Sequence, residues 1–187
     1  MKLISFMLNH TACYGAVQDD KVLNLSPLLG QQAPDLKTLI AKKMFDQAAQ
    51  ALATHTPNLV FDQLELLPVI PNPEKILCVG LNYHDHVKET GRDLTEKPAI
   101  FSRVNASQVA HGQAIMRPAE SHRLDYEGEI AIIIGEGGRR ISEADAWNHI
   151  AGYSCYNDGS VRDWQNFTTQ WTAGKNFWRT GGFGLGW

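Results

Sequence analysis

Short apolar runs separated by polar turns dominate the first part of the chain. Leu3–Leu8, Tyr14–Val17 and Val22–Leu25 have the length and composition of strands, and Asp19-Asp20 reads as the hairpin between the last two. A small antiparallel meander is expected there. From Asp35 the period changes: Leu36, Leu39, Ile40, Phe45, Ala48 and Leu52 recur at three- and four-residue spacing behind Pro34, which predicts a helix reaching Thr54, and Pro57 lies beyond its end. A further strand is expected over Leu59–Leu67. Pro68, Pro71 and Pro73 then form the best domain boundary in the chain, dividing 1–70 from 71–187.

Beyond the boundary, Lys75–Val79 reads as a buried strand running through Gly80 into a short helix over Asn82–Glu89. Pro98–Arg103 is a strand, and Ile130–Ile134 has the β-branched composition of one buried on both faces. Gly152–Asp158 is another. The stretch between them, Gly135–Arg140, lacks the third glycine and the surrounding βαβ pattern of a dinucleotide loop, so it reads as a hairpin-like turn. Ser142 with Asp145, and Ser160 with Asp163, stand at capping spacing and predict a helix over Glu143–His149 and a second, capped by Ser160, in the run G-S-V-R-D-W-Q-N-F.

The chemistry gathers on these later elements. Asp125, Glu127 and Glu129 precede Ile130 at period two, which places them on one face of a strand beginning by Asp125. Like charges held so close need a compensating cation. Asp158, closing the next strand, would supply a third oxygen, so a hard divalent ion held by Glu127, Glu129 and Asp158 is expected, against the plainer reading of a solvated acidic sheet edge. His86 and Glu89 share a helical face, the arrangement of a general-base dyad, with His84 as a competing imidazole. Arg162 and Gln165 share another. Lys175 follows a glycine that permits close backbone approach, and arginine, amide and amine together suit an oxyanion or a substrate carboxylate.

Composition changes the picture only by exclusion. The chain has 187 residues, 43% hydrophobic and 20% charged, enough for one or two domains with a real core. A net charge of -3 offers no basic field for nucleic acid or anionic membrane. No apolar run is long enough for a membrane span, and the start is too short for a convincing signal peptide. Cys13, Cys78 and Cys155 are odd in number and unclustered, as expected of buried thiols in a reducing cytoplasm. The partner should be small.

The segments K-I-L-C-V-G-L-N-Y-H-D-H-V-K-E, D-Y-E-G-E-I-A-I-I-I-G, G-Y-S-C-Y-N-D-G-S-V-R-D-W-Q and A-G-K-N-F resemble, in order and across Lys75–Phe177, the fumarylacetoacetate hydrolase family, in particular its smaller bacterial-type members. The resemblance implies an α+β protein: a small N-terminal α/β domain followed by a mixed β-roll of that family's type. It implies Mg²⁺, or Mn²⁺ or Ca²⁺, on Glu127, Glu129 and Asp158. His86 with Glu89 would activate water, Lys175 would stabilise charge, and Arg162, Gln165 and Arg103 would bind substrate, Arg103 standing where many members carry lysine. The expected activity is metal-dependent hydrolysis of a C–C bond in a β-diketo or 2-oxo acid, acylpyruvate-like, in a homodimer. An oxaloacetate-type decarboxylase, a hydroxymuconate-type isomerase and a silent metal-binding module are the alternatives. The family's domain normally continues past the G-K-N-F segment, so the β-roll is expected to be incomplete, with exposed sheet edges and poor solubility.

Overall fold

The computed structural model describes residues 1–82 and 97–186. Strands β1 (Lys2–Leu8), β2 (Thr11–Gln18) and β3 (Lys21–Asn24) form the expected meander, with Asp19 in the left-handed region (φ 54°) at the turn between the last two. The expected strand over Leu59–Leu67 is instead two short pieces, β4 (Leu59–Val60) and β5 (Glu65–Leu66), separated by a 3-10 turn, and they pair on opposite edges to give the order β4-β3-β2-β1-β5.

The single helix expected from Asp35 to Thr54 is two, Leu36–Ala41 and Phe45–Thr54. Asp35 caps the first by accepting from the Thr38 N–H at 2.7 Å. Between them Lys43 takes φ 54°, its N–H donates to Ile40 O, and the Met44 N–H reaches back to Leu39 O, the paired bonds of a Schellman stop. Apolar spacing resumes in register after the stop, so periodicity carries no sign of the break.

In the later half, β6 (Ile76–Gly80) pairs with β7 (Ala99–Arg103) as a two-stranded ribbon. Next come β8 (Gln108–Ala110), β9 (Leu124–Asp125), β10 (Gly128–Ile134), β11 (Ile150–Asp158), β12 (Ser160–Val161) and β13 (Gly181–Gly186). Four of them form a mixed sheet of order β10-β11-β13-β8, antiparallel except where β13 runs parallel to β8, while β9 and β12 pair separately. The helix expected over Glu143–His149 is a 3-10 turn at Ala146–His149: Ser142 and Asp145 do make the capping-type bonds, but no α-helix follows.

The two sheets share apolar contacts. Leu3, Ile133, Ala151 and Phe183 pack on the buried cluster of Tyr14, Leu25, Leu36, Leu39 and Ile40, and Leu185 packs with Ile4, Phe6 and Ala110. The free face of β10 is another matter. Ile130, Ile132 and Ile134 were expected to be buried, yet they are 69%, 54% and 60% exposed, because only the face bearing Ala131 and Ile133 meets the core. Leu77, Val79 and Ile100 on the β6–β7 ribbon are likewise exposed.

Candidate active site

The site is built at one end of the β10–β11 pair. Gly128 stands opposite Asn157 and Glu129 opposite Tyr156, and the Asp158 N–H donates to Glu127 O at 2.9 Å, so Glu127 and Asp158 are cross-strand neighbours. With side chains alternating along each strand, Glu127, Glu129 and Asp158 project from one face. Asp125 does not extend this row. It lies on β9, and Arg162 donates to it through Nε (2.9 Å) and Nη2 (2.8 Å).

Two carboxylates converge on one ammonium. Lys175 Nζ donates to Glu127 Oε2 at 2.9 Å and to Asp158 Oδ2 at 2.6 Å, and its side chain is 2% exposed. Gly174 makes the close approach anticipated for it: a Cβ there would stand 2.3 Å from the Gln165 backbone nitrogen, so only glycine lets the Thr172–Lys175 turn nest against the Arg162–Gln165 turn. The Lys175 ammonium also lies 4.8 Å from the centroid of the Phe101 ring, which Trp171 supports edge-on.

Arg162 Nη1 reaches Glu127 Oε1 at 2.5 Å and Gln165 Oε1 at 2.9 Å, so Arg162 and Gln165 share a face as their spacing predicts. Burial pushes the Glu127 carboxyl up, but Lys175, Arg162 and the Ser160 hydroxyl outweigh it and hold the group below the usual carboxylate range. Arg162 is correspondingly raised: burial opposes its charge, and Asp125 and Glu127 more than restore it.

Three expectations change. Ser160 does not cap a helix; it lies in β12 and its hydroxyl donates to Glu127 Oε1 (2.9 Å) and Asp158 O (2.8 Å). Arg103, expected to bind substrate, is walled in with no exposed side-chain surface. It donates to Asp158 Oδ1 (2.5 Å), Gly159 O (3.0 Å), Thr180 Oγ1 (2.9 Å) and Ser107 Oγ (3.3 Å), which makes it the rear support of Asp158. Cys78 lies opposite Phe101 on the ribbon, where burial, with Asp158 and Glu129 nearby, pushes its thiol up to about 12, so it stays neutral. Cys155 is exposed rather than buried. His84, His86 and Glu89 lie outside the described residues.

Among the described residues, no three histidine, cysteine or acidic side chains stand close enough to share one ion. Glu127 and Asp158 share the Lys175 ammonium instead. The donor set nevertheless fits a hard dication: every member is a carboxylate oxygen, two already face one cationic centre, and the third shares their strand face.

An α+β fold brings a row of carboxylates, an arginine and a buried lysine together at one sheet end. The chain belongs to the fumarylacetoacetate hydrolase family: the model described as "Fumarylacetoacetate (FAA) hydrolase C-terminal" matches residues 75–185. A relative from Xenopus laevis, the mitochondrial oxaloacetate tautomerase fahd2, is 40% identical over 132 residues, which are 70% of this chain and 41% of that protein. Fumarylacetoacetate hydrolase from Exiguobacterium antarcticum superposes with a TM-score of 0.73 at 28% identity, over 100% of this chain and 66% of that one. Maleylpyruvate hydrolase from Sphingobium sp. SYK-6, solved with manganese(II) and pyruvate, shares the fold at 23% identity with a TM-score of 0.77, over 97% and 64%. The chain thus spans about two-fifths of that tautomerase and just under two thirds of these solved structures, and the named relatives are enzymes.

Proposed function

We propose that this chain carries the acid-binding and metal-binding machinery of an enzyme that acts on a small 2-oxo or β-diketo acid, by hydrolytic C–C cleavage of an acylpyruvate-like substrate. The observation that carries the reading is the convergence of Glu127 and Asp158 on one cationic centre, with Glu129 on the same strand face and Arg162 beside them. Glu127, Glu129 and Asp158 would hold Mg²⁺, Mn²⁺ or Ca²⁺. When bound, the ion supplies a Lewis acid for the negative charge that develops next to a 2-oxo group.

Arg162 and Gln165 orient the substrate carboxylate from the neighbouring turn. Lys175, buried and carried on a tightly nested turn, donates hydrogen bonds to the developing oxyanion. Arg103 fixes Asp158 from behind. His86, with Glu89 as the partner its sequence spacing suggests, would take a proton from the attacking water. The free cysteines suit a reducing cytoplasm, and the exposed apolar face of β10 suits a homodimer.

The identity to an oxaloacetate tautomerase favours a second reading, in which the proton moves between C3 and the 2-oxygen without water. One experiment weighs both: acylpyruvate cleavage and oxaloacetate enol-to-keto conversion are followed by absorbance with Mg²⁺, for the wild-type protein and for His86→Ala. Cleavage abolished by His86→Ala supports the hydrolase. Enol conversion that survives the substitution supports the tautomerase, and activity on neither acid in any divalent metal overturns the proposal.

A further inference from the structure

Asp125 has the sequence spacing of the carboxylate row but serves a different partner. It lies on β9, directly opposite Ser160 on β12, and its Oδ2 accepts from Arg162 Nε at 2.9 Å and from Nη2 at 2.8 Å. Its other oxygen accepts from the Tyr126 N–H at 3.0 Å, so the carboxylate is itself held. Just ahead of β9, Arg123 O accepts from the Arg162 N–H at 3.0 Å. Main chain and side chain of Arg162 are thus tied to one segment.

Stability is a poor reason for that arrangement. The Asp125 side chain is 49% exposed and that of Arg162 23%, and ion pairs that water reaches contribute little to folding. Direction is a better one. A guanidinium carries five N–H bonds in one rigid plane. Asp125 takes Nε–H and one N–H of Nη2, while Glu127 and Gln165 take the two of Nη1 at 2.5 and 2.9 Å. Among the described residues, that leaves Arg162 one N–H, on Nη2, and Asp125 fixes the plane in which it points.

We infer that Asp125 is a positioning residue for the substrate: it orients Arg162 so that the guanidinium meets the ligand carboxylate through that one N–H rather than through a two-pronged fork. The inference rests on the role proposed above for Arg162, and it gives Asp125 no contact with ion or substrate.

Oxalate, a small dianion with two adjacent carboxylates, is the probe. Its binding to Mn²⁺-saturated protein, and the binding of Mn²⁺ alone, are measured by calorimetry for wild type, Asp125→Ala, Arg162→Gln and the double variant. Asp125→Ala should weaken oxalate at least about tenfold, the loss of a well-aimed hydrogen bond to a charged group, and leave the affinity for Mn²⁺ alone within about threefold. Because Asp125 acts through Arg162, the double variant should bind oxalate within about twofold of Arg162→Gln. Losses that multiply in the double variant, oxalate binding by Asp125→Ala equal to wild type, or an equal loss of Mn²⁺ affinity overturns the positioning role. Should Asp125→Ala not fold, the isosteric Asp125→Asn takes its place and must weaken oxalate at least about threefold. Oxalate binding untouched by Arg162→Gln overturns the role of Arg162 and the inference with it. A wild-type protein that binds neither Mn²⁺ nor oxalate is a separate result, which overturns the proposed function itself.

Discussion

Asp158 is the residue on which the site turns, since its two oxygens receive Arg103 and Lys175 and its main chain pairs with Glu127. A buried carboxylate stripped of one such partner is costly, so Arg103→Ala should destabilise the protein by about 3–5 kcal/mol in urea denaturation. Arg162→Ala, whose half-buried partners water can reach, should cost clearly less. Equal losses would contradict the placement of Arg103 behind the site. Sequence could nominate Arg103 but not its role: a charge on an alternating strand reads the same whether it faces a pocket or a wall. Glu127, Glu129 and Asp158 were easier, because strand period alone puts them on one face once β10 and β11 pair.

Elements were legible where local chemistry decides them and obscure where tertiary partners do. The meander followed from alternation and turn residues. Ser160 did not follow, because a serine preceding a helical turn can cap it or bond elsewhere, and here the Glu127 carboxylate competes successfully. Two predictions belong at this scale. Lys43 sits left-handed between the two helices, so Lys43→Gly should stabilise the fold by about 1 kcal/mol, read as a raised urea midpoint. Asp35→Ala should cost about 1 kcal/mol at neutral pH through the lost cap. Burial opposes the Asp35 charge, but the Thr38 and Asn72 hydrogen bonds hold its pKa below 3.8. A depressed acid stabilises above its unfolded pKa, so the gap between wild type and Asp35→Ala should stay constant above about pH 5 and close as pH falls through and below 3.8.

At the scale of the whole molecule, family and fold class were legible from four ordered segments, because those segments carry both strands and chemistry. The exposed faces were not. An all-apolar strand predicts two buried faces, and in this chain β10 buries only one. If the proposed homodimer forms through the open face, Ile132→Lys should leave stability nearly unchanged while reducing the mass seen by light scattering toward that of one chain. A wild-type mass of one chain, or a mass unaltered by the substitution, would contradict that interface. The central claim is that Glu127, Glu129 and Asp158 together bind a divalent ion. It is tested most directly by titrating Mn²⁺ into wild-type protein, Glu129→Gln and Asp158→Asn while following free Mn²⁺ by electron paramagnetic resonance. The account predicts one ion per chain in the wild type and affinity weakened at least about tenfold in each variant. Binding of equal strength in all three, or none in the wild type, would contradict it.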